Sequence, residues 1–239
     1  MLSFEVLLFI GAIGFYLYDS KLLLYSNEVV FIRNSKKWMF ICPGNNWLFL
    51  GKSPYIPNPL TPGSAIFRLY WSEKPRSAEI DVLSIEEFIS ALRPVRYLVN
   101  FLIMQFVIPL PLILFLYGSG PQLLIIFGTI YLNIVLILIL VFINKNHLGI
   151  TNKFFITLMY ESIVCAPYAL NIVRKITLKR PPKGDPIQFA KLSFDKETLQ
   201  KLAKSTKQKI DHQLEFLDAN SSRYTSLEAY KTKIKEYCL

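Results

Sequence analysis

The stretch that decides the fold of this chain is residues 97–144, which read YLVNFLIMQFVIPLPLILFLYGSGPQLLIIFGTIYLNIVLILILVFIN. It contains no Lys, Arg, Asp or Glu, and only the tetrapeptide GSGP at 118–121 interrupts the apolar run. Because one helix needs about 20 apolar residues to cross a bilayer core, this length suffices for two crossings. The stretch therefore predicts a transmembrane hairpin of two antiparallel helices, at about 97–117 and 123–143.

Two prolines and three amide side chains lie within the helices of this hairpin. Pro109 and Pro111 predict a kink in its first helix, since each removes a backbone donor. We interpret the kink as a packing feature, with a hinge for transport as the alternative. Asn100, Gln105 and Asn133 are predicted to tie helices together and not to bind a substrate.

Residues 1–20 carry another apolar run, which lacks a basic start and a small-residue cleavage site. We expect an uncleaved helix close to the short limit for a span, at about 17 residues. Basic residues fill 21–96 and the chain from 145 onward, whereas the loop 118–122 is uncharged. The positive-inside rule then predicts three spans in a bacterial inner (plasma) membrane, with the N-terminus outside and the C-terminus in the cytoplasm.

Residues 154–173 form a further apolar run within the region 145–183, which ends in a basic linker. Polar residues recur along it at helical spacing: Thr157, Tyr160, Glu161, Cys165, Tyr168 and Asn171. Such a stripe predicts an amphipathic helix that is interfacial or partly re-entrant. The alternative is a fourth span, which would leave the many basic residues after it outside the cell.

The remaining regions have the patterns of small cytoplasmic units. Residues 21–96 predict a small antiparallel β domain and a helix over 84–94, which a capping box of Ser84 and Glu87 would start. The predicted strands are 28–33, 37–42, 47–50 and 65–71. Residues 184–239 predict a helical hairpin with helices at 195–219 and 226–237. The expected fold is therefore an α-helical membrane protein with a small β domain and a C-terminal helical hairpin.

The net charge of +10 has a simpler explanation than nucleic-acid binding. The positive-inside rule places Lys and Arg in cytoplasmic segments, so we expect no nucleic-acid partner. A basic cluster near a membrane predicts contact with anionic lipid of the inner leaflet. Its residues are Arg174, Lys175, Lys179, Arg180 and Lys183.

We expect this chain to bind no cofactor and no metal ion. Three widely separated cysteines predict reduced thiols, and no phosphate loop, zinc pattern or nucleophile elbow occurs in the sequence. The one chemical candidate is Glu161, an ionisable residue in an apolar segment, with Thr157, Tyr160 and Cys165 as possible hydrogen-bonding neighbours. The structural interpretation is a carboxylate that pairs with a basic residue of the β domain or lies at headgroup level.

We expect a non-enzymatic membrane subunit that anchors a cytoplasmic or membrane partner. Homo-oligomers are also expected, because the amides in the spans have few other partners. One alternative is a transport or ion-conducting subunit that uses Glu161 and the kinked second span. The other is a membrane enzyme that acts on lipid at the inner leaflet, with Glu161 as acid or base.

Overall fold

The computed structural model describes residues 4–34, 37–43, 51–71, 82–117, 120–182 and 184–238. Most of these residues are helical, and a few short strands form two small sheets. The helices are α1 (Phe4–Ser20), α2 (Val82–Ala91), α3 (Arg93–Val107), α4 (Pro109–Tyr117), α5 (Pro121–Ile143), α6 (Asn152–Val164), α7 (Ile172–Leu178), α8 (Pro186–Ser193), α9 (Lys196–Leu214) and α10 (Ser222–Lys235), with a 3-10 helix at Ala166–Asn171. The strands are β1 (Leu22–Tyr25), β2 (Glu28–Asn34), β3 (Lys37–Ile41), β4 (Lys52–Tyr55) and β5 (Ala65–Tyr70). The predicted combination of helices with a small antiparallel sheet is confirmed.

The chain divides into two compact units, each assembled from three separate segments. The helical unit comprises Met1–Leu22, Ile56–Ala65 and Glu86–Arg180. The sheet unit comprises Leu23–Tyr55, Ile66–Ile85 and Pro181–Leu239. These boundaries differ from the contiguous blocks expected from the sequence, because the segment 56–65 packs with the helices and the C-terminal tail packs with the strands.

Two helices in the described ranges are long and apolar enough to cross a membrane, judged by length and composition. They are Arg93–Leu116, which combines α3 with most of α4, and Pro121–Ile143, which is α5. Only 33% and 39% of their most apolar windows are buried inside the protein. The core helix of a soluble protein hides its apolar residues, so apolar side chains on the outer faces of both helices are what a lipid environment requires.

The first of these helices is interrupted where the prolines predict it. Ile108 separates α3 from α4 with φ −108° and ψ −75°, and Pro109 and Pro111 begin the second piece. Farther along the bundle, the Asn133 amide donates to Gln105 (3.1 Å) and to the Leu98 carbonyl (3.2 Å). The predicted role of these two amides in tying the helices together is therefore confirmed.

The helix predicted through residues 154–173 is not continuous, so that prediction is wrong. α6 ends at Val164, and Cys165 has extended backbone with φ −135° and ψ 92°. Pro167 contributes to the break, because it has no N–H to donate to the Ile163 carbonyl and its ring would clash with that carbonyl in a continuous helix. α6 has 13 residues and α7 has 7, whereas one span needs about 20. A fourth span made of a single helix is therefore not present here.

In the sheet unit, β2 is the central strand of the order β3-β2-β5, and β1 pairs with β4 in a separate two-stranded sheet. β2 and β3 are antiparallel, with Val30 opposite Ile41. Every residue from Glu28 to Ile32 is buried, which is expected of a strand covered on both faces. Arg68 of β5 neutralises the buried Glu28 through an ion pair of 2.5 Å.

Aromatic residues and the tail helices complete the core of the sheet unit. The Phe31 ring contacts Phe189 of α8 at 4.7 Å between ring centroids. The Tyr230 hydroxyl of α10 donates to Asp185 at 2.5 Å, and its ring stacks on Trp71 at 6.2 Å. The tail is thus part of this core and not an independent appendage.

Three local predictions need correction or stay open. α2 begins at Val82, so Ser84 lies inside the helix, and its predicted role as N-cap is wrong. Strands β1 and β4 were not predicted, and Pro54 is tolerated in β4 because that strand lies at an edge. The strand expected at 47–50 lies outside the described residues.

Replacing Tyr230 with Phe tests the core of the sheet unit. Removal of the hydroxyl leaves a buried Asp185 oxygen without its donor, so we expect the free energy of unfolding at pH 7 to fall by about 1–3 kcal/mol. Urea unfolding followed by tryptophan fluorescence measures it, since Trp71 stacks on this ring. Tyr224→Phe, on the same helix, is the matched control and should cost far less.

Comparison of Tyr230→Phe with the wild type also gives a pH test. Burial, and then the Asp185 carboxylate, raise the pKa of Tyr230 above its ordinary value of 10.0. The folded protein keeps this proton at pH values where the unfolded chain loses it, so the stability present below pH 10 declines as the pH rises above it. That decline should be smaller in Tyr230→Phe than in the wild type. Identical pH dependence in both proteins would contradict this assignment.

Candidate functional site

Three charged or polar residues of α6 lie on one side of the helix, beside a groove of the helical unit. Thr151 caps α6 by accepting a hydrogen bond from a backbone N–H of the first turn (3.3 Å). Lys153, Thr157 and Glu161 follow at intervals of four residues, so they share a face that lines the groove. Tyr160 does not line it and is 66% exposed.

Glu161 is paired with a cation of its own unit. Lys175 of α7 lies 2.7 Å from the Glu161 carboxylate and 2.9 Å from that of Asp19 at the end of α1. Asn171 donates a further hydrogen bond to Asp19 (3.0 Å). The expected partner was a residue of the β domain, and this is wrong because the break at Cys165 turns α7 back toward α6.

Arg174 occupies the interior of the helical unit. Its guanidinium donates to the Ser20 hydroxyl (3.3 Å), the Asn171 side chain (3.1 Å) and the carbonyls of Asn58 (2.6 Å) and Thr61 (3.2 Å). Only 3% of the residue is exposed. The structure therefore corrects the expectation that Arg174 contacts lipid headgroups, since its guanidinium is not accessible to them.

The groove has a volume of about 480 Å³ and opens to the surface. The charged and polar side chains on its walls come from the end of α1, from α6 with its N-cap, and from the α7 region: Asp19, Thr151, Lys153, Thr157, Glu161, Lys175 and Lys179. Three ammonium groups thus face two carboxylates. Lys175 lies between both carboxylates, so Lys175, Asp19 and Glu161 together carry a net charge of −1. Lys153 and Lys179 bring the net charge of the groove to +1.

The other basic residues predicted to contact lipid differ in how accessible they are. Lys179 and Arg180 are exposed; the Lys179 ammonium lies 5.5 Å from the centre of the Phe154 ring, and Arg180 donates to the His147 carbonyl (3.2 Å). Lys183 lies outside the described residues. Lys179 and Arg180 therefore have the accessibility that headgroup contact needs, and Lys175 is largely committed to its two carboxylates.

The arrangement suits ion pairing and anion binding better than acid–base or nucleophilic chemistry. Thr157 donates its hydroxyl to the Lys153 carbonyl (3.1 Å) and not to Glu161. Burial raises the pKa of the Cys165 thiol, which disfavours the reactive thiolate. In the described ranges no group of three or more His, Cys, Asp or Glu side chains could hold a metal ion.

Sequence reasoning missed Asp19 and Lys153 as parts of this site. Lys153 could have been found, because it continues the four-residue spacing of Thr157 and Glu161 toward the start of α6. Asp19 had no such signal, since it reaches the groove only through the packing of α1 against the 3-10 helix.

No protein-family model, curated protein or solved structure matches this chain. Its function must be inferred from its own residues.

Substituting Arg174→Lys tests whether the guanidinium holds the helical unit together. A lysine keeps the charge, but its single ammonium group cannot reach four acceptors on three segments as the planar guanidinium does. We expect the helical unit to lose about 2–4 kcal/mol of stability, since acceptors arranged around a buried cation lose their donors. Thermal unfolding of the detergent-purified chain, followed by circular dichroism, measures the loss.

Arg180→Lys is the matched control, because Arg180 is exposed and donates to one carbonyl. It should change stability by less than about 0.5 kcal/mol. Equal effects of the two substitutions would show that the buried network is not the source of stability.

Proposed function

We propose that this protein is a multi-pass anchor in a bacterial inner membrane, and that it holds a partner protein at the cytoplasmic surface. The observation that carries the proposal is the pair of apolar helices Arg93–Leu116 and Pro121–Ile143, whose most apolar windows are only 33% and 39% buried. Leu124, Ile125 and Leu132 of α5 are each more than half exposed. In water such a surface would aggregate, whereas in a bilayer it faces lipid.

The proposal counts α1 as a third span. α1 has 17 residues, a length of about 25 Å at 1.5 Å per residue, which is near the lower limit for a crossing. Leu7, Ile10 and Phe15 are each more than half exposed, and the helix contacts α4 and the 3-10 helix. The contact with α4 supports the proposal that α1 is a third membrane helix.

The orientation follows from the distribution of charge. The loop 118–122 between the two long apolar helices is uncharged, and basic residues resume at Lys145 directly after α5. With the positive-inside rule, the loop lies outside, and the sheet unit lies in the cytoplasm.

An anchor agrees better with the structure than a conduction path or a lipid-modifying enzyme. Glu161 lies on the 13-residue α6, outside the two candidate spans, and its carboxylate is engaged by Lys175 at 2.7 Å. A paired carboxylate at an open surface lacks the buried position that a conduction path or a general acid requires.

Homo-oligomerisation needs a different argument from the one that the sequence offered. The amides of Gln105 and Asn133 bond to each other within one chain, so they do not require a second copy. The exposed apolar faces of the helices can be covered by lipid equally well. The proposal therefore places partner binding on the sheet unit, where the tail helices and the strands form one body.

Membrane proteomics tests the anchor directly. In cells that lack the protein, at least one cytoplasmic protein should move from the membrane fraction to the soluble fraction. Expression of the wild type or of Glu161→Gln should return it to the membrane, because the proposal gives this carboxylate no chemical role. Quantitative mass spectrometry of both fractions measures the redistribution, with an empty vector as the control. Failure of any protein to redistribute, or failure of Glu161→Gln to restore it, would contradict the anchor.

A further inference from the structure

The groove beside α6 has two ammonium groups that no carboxylate of the described residues neutralises. Lys175 is held between Asp19 and Glu161 at 2.9 Å and 2.7 Å. Within the described ranges, no carboxylate lies within ion-pair distance of Lys153 or Lys179. Both are exposed lysines on the groove wall. Two unneutralised ammonium groups facing one cavity are the usual arrangement for binding a phosphate group.

The Thr151 hydroxyl on the wall adds to this preference. The Thr151 oxygen accepts from a backbone N–H (3.3 Å), so its own proton points away from that bond and can be donated to a ligand. The groove volume of about 480 Å³ exceeds that of a phosphate group and leaves room for a larger polar headgroup.

An apolar face of α6 lies next to the groove face. Ile156, Tyr160 and Ile163 follow at helical spacing and are 58%, 66% and 47% exposed. At about 100° per residue, this stripe is adjacent to the stripe of Lys153, Thr157 and Glu161. A ligand with a charged headgroup and an apolar chain could contact the polar face with its headgroup and the apolar face with its chain.

The position of α6 along the chain agrees with such a ligand. α5 ends at Ile143, and α6 begins at Asn152 after a short turn. This turn contains Lys145, the first basic residue after the apolar hairpin. If α5 crosses the membrane as proposed, this turn emerges at the headgroup level of the cytoplasmic leaflet.

We propose that the groove binds the phosphate-bearing headgroup of an anionic phospholipid, with Lys153 and Lys179 at the phosphate and an acyl chain along Ile156, Tyr160 and Ile163. The inference rests on the proposed membrane location. Three lysines against two carboxylates favour a headgroup of net negative charge over a zwitterionic one. The apolar stripe favours a lipid over free phosphate.

Native mass spectrometry of the intact chain in mild detergent tests this site. Phosphatidylglycerol and phosphatidylcholine are titrated separately onto the wild type and onto the double variant Lys153→Gln/Lys179→Gln. Each lysine near a phosphate contributes about five-fold to affinity, so the double variant should bind phosphatidylglycerol about 25-fold more weakly. Its affinity for phosphatidylcholine should be little changed. Lys196→Gln/Lys204→Gln, which removes two exposed lysines of α9, is the matched control and should bind as the wild type does.

Several results would overturn the site. Wild-type affinity in Lys153→Gln/Lys179→Gln, or an equal loss in the α9 control, would show that overall charge and not the groove attracts the lipid. Displacement of phosphatidylglycerol by millimolar inorganic phosphate would identify a site for free phosphate. Carbonate extraction of cell membranes tests separately whether the protein is embedded in the membrane, so failure of the lipid site can be told from failure of the anchor. If the wild type stays in the membrane but shows no preference for phosphatidylglycerol, only the groove inference fails; if it is extracted, the anchor itself fails.

Discussion

One buried guanidinium connects the segments of the helical unit that lie farthest apart in sequence. Arg174 donates to Ser20 at the end of α1, to Asn171 in the 3-10 helix, and to the carbonyls of Asn58 and Thr61. Desolvation of a cation is costly unless acceptors surround it, so these segments must stay together for any one of them to keep its position. The end of α1 and the start of α7 are therefore fixed relative to each other by one side chain.

The groove depends on that buried contact. Successive helical residues point about 100° apart, so the inward Arg174 directs its neighbour Lys175 toward the surface. Lys175 then lies between Asp19 of α1 and Glu161 of α6. Because Lys175 engages both carboxylates, Lys153 and Lys179 are the ammonium groups left for a ligand, and the groove keeps a net charge of +1. The proposed lipid site and the packing of the unit thus follow from consecutive residues on α7.

Features governed by local chemistry could be predicted from the sequence, and features governed by tertiary contacts could not. The apolar hairpin follows from the length of a charge-free run, and the interruption at Ile108 follows from prolines that lack an N–H. A basic cluster looks uniform in sequence, so the sequence predicts Arg174 at the headgroups. Its burial follows from tertiary contacts such as those with Asn58 and Thr61. The Glu161 partner was missed because a chain reversal at Cys165 determines it. The sequence therefore indicates Glu161, Thr157, Lys175 and Lys179 as separate candidates, and only the packing of the helices brings them together with Asp19 and Lys153.

The central claim is that the hairpin crosses a membrane with its loop outside and the tail in the cytoplasm. Single-cysteine variants Gln122→Cys and Asn220→Cys, with Cys42, Cys165 and Cys238 replaced by Ser, measure it directly; both positions are exposed. A membrane-impermeant maleimide added to spheroplasts should label Gln122→Cys at once and Asn220→Cys only after lysis. Labelling of both positions before lysis, or the reverse order, would contradict the topology. Recovery of the chain in the soluble fraction would contradict the claim that it spans a membrane.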